Sequence, residues 1–116
     1  YAHYAANIRG IHRLQLSPMF TEEASESTMH ADIIRKAIVK LGGIPVTERN
    51  SHPIIHTTQY DEMLVHSLET ETKAASVYAE IMVVIEAVGD QDLYDAIEQI
   101  YLAEVRSLEE LRLLME

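Results

Sequence analysis

The sequence predicts an all-α domain, a four-helix bundle in which one connection is much longer than the others. Two long segments carry apolar residues at steps of three and four, the spacing that keeps side chains on one face of a helix. The chain has only four Gly and three Pro, and two of the prolines, Pro45 and Pro53, lie in one short stretch, which argues against a β-rich fold. That stretch shows no periodicity and forms the long connection.

Composition limits the function further. A chain of 116 residues with 47% apolar residues is long enough for one domain with a normal core, so we expect a single domain over residues 1–116. The formal charge of −10 disfavours nucleic-acid binding, because phosphates need a basic surface. Cysteine is absent, which fits a reducing cytoplasm and excludes thiolate ligands. No apolar run is long enough for a membrane span.

The first two helices are predicted from residues 1–41. Residues 1 to about 16 form the tail of a first helix that we expect to be shortened in this chain, since the sequence opens inside it at Tyr1. Ser17-Pro18 predicts a new helix start, because Ser suits the N-cap and Pro the first helical position. The second helix should continue to Leu41, where Gly42-Gly43 ends it.

The long connection determines the predicted topology. It runs from Gly42 to about His56 and includes Asn50 and Ser51 beside its prolines. About 15 extended residues reach roughly 50 Å, whereas a helix of about 24 residues is about 36 Å long. The connection can therefore return along the bundle and place helices two and three parallel. Thr57 or Thr58 then caps a third helix.

A short break separates the last two helices. The third helix should end near Val88, and Gly89-Asp90 interrupts it so that Asp90 caps a fourth helix. A turn this short makes the two helices an antiparallel hairpin, as the Ser17-Pro18 restart would for the first two.

Three polar side chains interrupt the apolar helix faces. Glu71 replaces an apolar residue on the third helix, Glu104 does so on the fourth, and His30 lies on the apolar face of the second. The apolar positions around the glutamates are Tyr60, Leu64, Leu68, Ala75, Tyr78, Met82 and Ile85 on the third helix, and Leu93, Ile97, Ile100, Leu108, Leu111 and Met115 on the fourth. An ionised carboxylate facing a core costs several kcal/mol unless it is paired or binds a metal. The pattern predicts a shared polar site that holds a cation.

These residues resemble the bacterioferritins. The run 23–32, EASESTMHAD, followed by apolar steps to Leu41-Gly-Gly-Ile-Pro45, is similar to the second helix of that family. Met63-Leu64 followed by Leu68 and Glu71 resembles its third helix, and Glu104 after Ile100 resembles its fourth. The resemblance covers essentially the whole chain and implies a ferritin-like bundle with one long crossover.

The resemblance also implies a di-iron site with missing ligands. In that family each of the second and fourth helices supplies Glu-x-x-His. His30 matches the second-helix histidine, but Ser27 occupies the position of its glutamate. Glu71 matches the third-helix ligand and Glu104 the fourth-helix glutamate, which usually bridges the metals, while Ser107 stands where the second histidine belongs. The first-helix glutamate would precede Tyr1.

Two other glutamates could compensate for the missing ligand. Glu26 lies one turn before His30 and Glu23 two turns before, so either could replace Ser27 as a metal ligand. The haem-ligating methionine of bacterioferritins falls at Thr28, so no haem is expected.

The implied function is iron handling: binding Fe(II), oxidising it with dioxygen or peroxide, and storing the product in a homo-oligomer. With an intact site the protein would be a ferroxidase-type oxidoreductase. Without compensation it would bind one ion, two weakly or none, and serve as a non-catalytic bundle or structural subunit. A third interpretation is a di-iron oxidase or peroxidase acting on an organic substrate, which would need an apolar pocket beside the metals.

Interpretations without metal stay open for the same residues. A lone histidine on an apolar face is more often a hydrogen-bonded core residue, and Glu71 and Glu104 could share a proton, as like-charged neighbours do. His52 and His56 flank Pro53 in the long connection. The pair could bind metal adventitiously, but we interpret it as an exposed loop pair.

Overall fold

The computed structural model describes residues 1–48 and 51–116, and within these ranges the chain forms four α-helices and no β-strand. The helices are α1 (Ala2–Asn7), α2 (Arg13–Lys40), α3 (Tyr60–Val88) and α4 (Gln91–Met115). The predicted all-α class is confirmed. None of these helices is both long enough and apolar enough to cross a membrane. The chain divides into two compact units, Tyr1–Met63 and Leu64–Glu116.

The break between the first two helices is not where the sequence predicted it. α1 ends at Asn7 and α2 already begins at Arg13, so Pro18 lies inside α2 and does not start it. The turn is made at Gly10, whose φ of +95° is readily adopted only by glycine. Because Pro18 is in the second turn of α2, its missing N–H removes only one bond near the helix start. Ser17, predicted as the N-cap, instead donates a hydrogen bond to the Ala5 carbonyl at 2.8 Å.

α1 packs on α2 through aromatic side chains. Phe20 of α2 is fully buried, and its ring lies 6.0 Å from that of Tyr4 and 5.9 Å from that of Tyr1, centroid to centroid. The Arg13 guanidinium donates to the Ile8 carbonyl at 2.6 Å, which satisfies an acceptor at the end of α1. The short first helix is therefore fixed to the second by packing and by a hydrogen bond.

The predicted end of the second helix is confirmed. Gly42 has a φ of +85°, and the Gly43 N–H donates to the Ile38 carbonyl at 2.9 Å, as in a glycine-terminated helix. The described residues of the connection that follows form neither helix nor strand. Asn50, which the sequence places in this connection, lies outside the described residues.

Thr57 prepares the start of α3. Its hydroxyl accepts a hydrogen bond from the Gln59 N–H at 3.1 Å and donates one to the Glu62 carboxylate. α3 begins at Tyr60, two to three residues after the predicted caps. Tyr60 itself was predicted on the apolar face but is exposed, and its ring lies 4.2 Å from that of His12.

The second unit consists of α3 from Leu64 onward and the whole of α4. Asp90 caps α4 as predicted, since its Oδ1 accepts from the Leu93 N–H at 3.0 Å, and Gly89 makes the turn with a φ of +82°. One face of α4 is buried and consists of Leu93, Ile97, Ile100, Glu104, Ser107 and Leu111. Met115, predicted on this face, is 40% exposed because it is the final residue of the helix.

Candidate metal site

The two glutamates that interrupt the apolar faces of α3 and α4 are both buried in the second unit. Glu71 is 3% exposed and Glu104 8% exposed. Glu104 lies four residues after the buried Ile100, and Glu71 eight residues after the buried Met63, so helical spacing directs both side chains inward. The predicted position of both glutamates on buried faces is confirmed.

Tyr78 lies within the electrostatic field of both carboxylates. It is two turns after Glu71 on α3, and its pKa is raised from 10.0, first by burial, then by the negative charge of Glu104 and then by that of Glu71. A charge on α4 and a charge on α3 therefore act on the same phenol. Sequence reasoning had placed Tyr78 only among apolar packing residues. Its spacing of seven from Glu71 was the signal that could have found it.

Buried serines extend the polar character of these helix faces. Ser107 lies one turn after Glu104, and Ser67 lies one turn before Glu71. The Ser67 hydroxyl oxygen is buried without a hydrogen-bond partner among the described residues. A buried hydroxyl without a partner is unfavourable, so this face is suited to a polar ligand. Ser67 was missed by the sequence reasoning because serine is unremarkable in a helix.

The polar side chains described so far on α3 and α4 offer oxygen atoms as metal ligands. Glu71, Glu104, Tyr78 and the two serines provide carboxylate, phenol and hydroxyl groups, whereas the histidine of α3, His66, lies beside Glu69 with Nδ1 3.8 Å from its Oε2. Carboxylate oxygens bind hard or borderline divalent cations. The residues therefore fit a divalent cation by their chemistry.

The candidate ligands of α2 lie in the first unit. His30 is 7% exposed, and its Nε2 is 3.7 Å from Oε1 of Glu26, one turn earlier. Ser27 is exposed and Glu23 is half-buried. Glu26 thus places a carboxylate near the imidazole of His30. The sequence had suggested Glu26 or Glu23 as a replacement for the glutamate that is missing at Ser27.

The structure does not by itself define a complete metal centre. Within residues 1–48 and 51–116, no group of three or more His, Asp or Glu side chains is arranged to hold a metal ion. Two carboxylates on one hairpin and one carboxylate–imidazole pair on α2 are the elements found. The assignment of His30, Glu71, Glu104, Glu26 and Glu23 as metal ligands stays a prediction.

Comparison with known proteins identifies the class. The fold is that of a ferritin-like bundle, as predicted. It is similar to a crystal structure described as "ferritin like, diiron-carboxylate proteins from Bacillus anthracis str. Ames". The two chains are 27% identical with a TM-score of 0.90, and the match covers 98% of this chain and 81% of that one. The family description "Ferritin-like domain" matches residues 1–116, so the chain belongs to the ferritin family. No curated protein matches it.

Proposed function

We propose that this protein binds iron through the buried carboxylates of Glu71 and Glu104. The observation that carries the proposal is the burial of both glutamates on the inward faces of α3 and α4, where both charges act on Tyr78. A cation beside buried carboxylates stabilises their charged form. Membership of the ferritin family and the likeness to a diiron-carboxylate protein favour iron as that cation.

The ligands on α2 are proposed from the resemblance to bacterioferritins together with the local geometry. The resemblance matches His30 to a metal-ligating histidine of that family. Glu26 is the better candidate than Glu23 to accompany it, because its carboxylate already lies 3.7 Å from the imidazole. One carboxylate and one imidazole nitrogen would suit Fe(II).

The proposed reaction is slow Fe(II) oxidation followed by storage. Fe(II) is the substrate, and the carboxylates would attract and hold it while dioxygen or peroxide removes the electron. Ser107 stands in place of a histidine, and a neutral hydroxyl is a weaker ligand than an imidazole nitrogen. We therefore expect slower oxidation than in a protein with the full ligand set. Tyr78 retains its proton over a wider pH range than an exposed tyrosine and so stays a hydrogen-bond donor beside the carboxylates.

A non-catalytic role is the second candidate. It is favoured by one observation, that no three ligand side chains converge within the described ranges. In that case the protein keeps the ferritin-like scaffold as a structural subunit. For either role we propose a single domain over residues 1–116, a cytoplasmic location and a homo-oligomer.

The two candidates are separated by iron stoichiometry and oxidation rate. Purified full-length protein is analysed for bound metal and then mixed with Fe(II) in air, with Glu104→Gln as the test variant. Glu109→Gln is the matched control, because Glu109 is exposed on the same helix. Iron handling predicts oxidation above the buffer rate that is lost in Glu104→Gln and kept in Glu109→Gln. No bound iron and no rate above buffer would establish the non-catalytic role.

Ser107→His is the complementary variant. It restores the histidine of the family pattern at a buried position one turn after Glu104. Faster oxidation than in the unmodified protein is expected, because an imidazole nitrogen replaces a weak hydroxyl ligand. An unchanged rate would indicate that position 107 does not face the iron.

A further inference from the structure

Two histidines distant in sequence meet on the surface of the first unit. His3 lies on α1, and His56 lies in the connection that leads to α3. Nε2 of His3 is 2.8 Å from Nδ1 of His56, and the ring centroids are 5.1 Å apart with the ring planes at 76°. Neither residue belongs to the carboxylate site or to the His30–Glu26 pair.

Hydrogen bonds on both sides hold this histidine pair in place. The Tyr4 hydroxyl donates to the Ile55 carbonyl at 2.9 Å, and the Arg9 N–H donates to the Thr58 carbonyl at 3.1 Å. Tyr4 follows His3, and Ile55 precedes His56, so the backbone on each side is fixed near the rings. The two imidazoles are therefore preorganised, which lowers the entropic cost of binding a ligand between them.

The two nitrogens are close enough to bind one metal ion. Two nitrogens each about 2.0 Å from one metal are about 2.8 Å apart in neighbouring positions of a square arrangement and about 3.3 Å apart in a tetrahedral one. The measured distance of 2.8 Å is that of a hydrogen bond between the two facing nitrogens, so both rings must turn for their lone pairs to point at one metal ion. Square-planar nitrogen sites are typical of Cu(II) and Ni(II), and Cu(II) binds most tightly of the first-row divalent ions.

We propose that His3 and His56 form a chelating site for a divalent cation, with Cu(II) bound more tightly than Ni(II). Water fills the remaining coordination positions. Both imidazoles bind in the neutral form, so the proton that now lies between the two facing nitrogens moves to the other nitrogen of the same ring. The bound metal joins α1 to the connection before α3.

The test is a Cu(II) titration of the metal-free full-length chain, followed by electron paramagnetic resonance. For this titration the chain is produced with a short extension ahead of Tyr1, because a free amino group at Tyr1 would form its own copper chelate with His3. His3→Ala and His56→Ala are the test variants. His66→Ala, which removes an imidazole from α3 in the second unit, is the matched control. The double variant Glu71→Gln/Glu104→Gln separates this site from the carboxylate site.

The unmodified protein should bind Cu(II) at one site whose spectrum shows hyperfine coupling to two imidazole nitrogens. Mutation of a residue that only hydrogen-bonds a metal ligand typically lowers metal affinity by about 10–100-fold. His3 and His56 are proposed as the ligands themselves, so removal of either should lower the Cu(II) affinity by at least about tenfold. His66→Ala and the double glutamine variant should bind Cu(II) at this site as tightly as the unmodified protein. Equal affinity in His3→Ala or His56→Ala, or coupling to a single imidazole in the unmodified protein, would overturn the proposal. Circular dichroism confirms that each variant keeps its helix content.

Discussion

Replacing Glu104 by glutamine tests whether the buried carboxylates are held for a ligand and not for stability. The amide keeps the shape of the side chain but removes the negative charge of a residue that is only 8% exposed. That charge and the charge of Glu71 both act on the phenol of Tyr78. Taking one charge out of water costs several kcal/mol even after the protein relaxes, and a neutral amide carries less of this cost. We expect the free energy of unfolding of metal-free Glu104→Gln to exceed that of the unmodified protein by about 1–3 kcal/mol.

Iron should reverse this order. A ligand at about 100 times its Kd stabilises the folded state by about 2.7 kcal/mol, and we expect anaerobic Fe(II) to do so for the unmodified protein but to add less than about 1 kcal/mol to Glu104→Gln. The assay is urea unfolding followed by circular dichroism, with and without Fe(II), and with Glu109→Gln as the control. A metal-free variant less stable than the unmodified protein, or equal stabilisation of both by Fe(II), would refute this reasoning.

Three further predictions concern single positions. The folded-state pKa of Tyr78 is raised above 10.0, so its contribution to stability is constant below about pH 10 and is lost as the pH rises through the folded value. Glu104→Gln should lower this pKa towards its usual value in an absorbance titration of tyrosinate. An unchanged titration curve would contradict the effect of Glu104 on Tyr78. Asp90→Ala should lower the free energy of unfolding by about 1 kcal/mol, because it removes the N-cap of α4, and a change near zero in urea unfolding would contradict the cap. Ile97→Ala should cost about 2–5 kcal/mol as a core truncation, whereas Leu102→Ala, on the exposed side of the same helix, should change the free energy by less than about 1 kcal/mol.

The sequence was sufficient for the elements that depend on local chemistry. The end of α2 at Gly42 and the cap of α4 at Asp90 follow from short-range preferences, and both were predicted. The buried positions of Glu71 and Glu104 followed from helical periodicity, which depends only on spacing along one helix.

The errors arose where a distant contact or a backbone conformation outweighed a local preference. Ser17-Pro18 had the residues of a helix start, yet Gly10 makes the turn and Ser17 bonds to Ala5 on the preceding helix. The His3–His56 contact joins residues 53 positions apart, which periodicity does not predict. His56 was paired with His52 in the sequence interpretation, and His3 was not considered as its partner.

The most direct test of the proposed iron site is a crystal structure of the full-length protein soaked anaerobically in Fe(II), with anomalous diffraction recorded at the iron edge. Binding by the buried carboxylates predicts an anomalous peak within coordination distance of oxygens of both Glu71 and Glu104. A crystal that takes up iron only elsewhere, or shows no peak beside these two glutamates at saturating Fe(II), would contradict it.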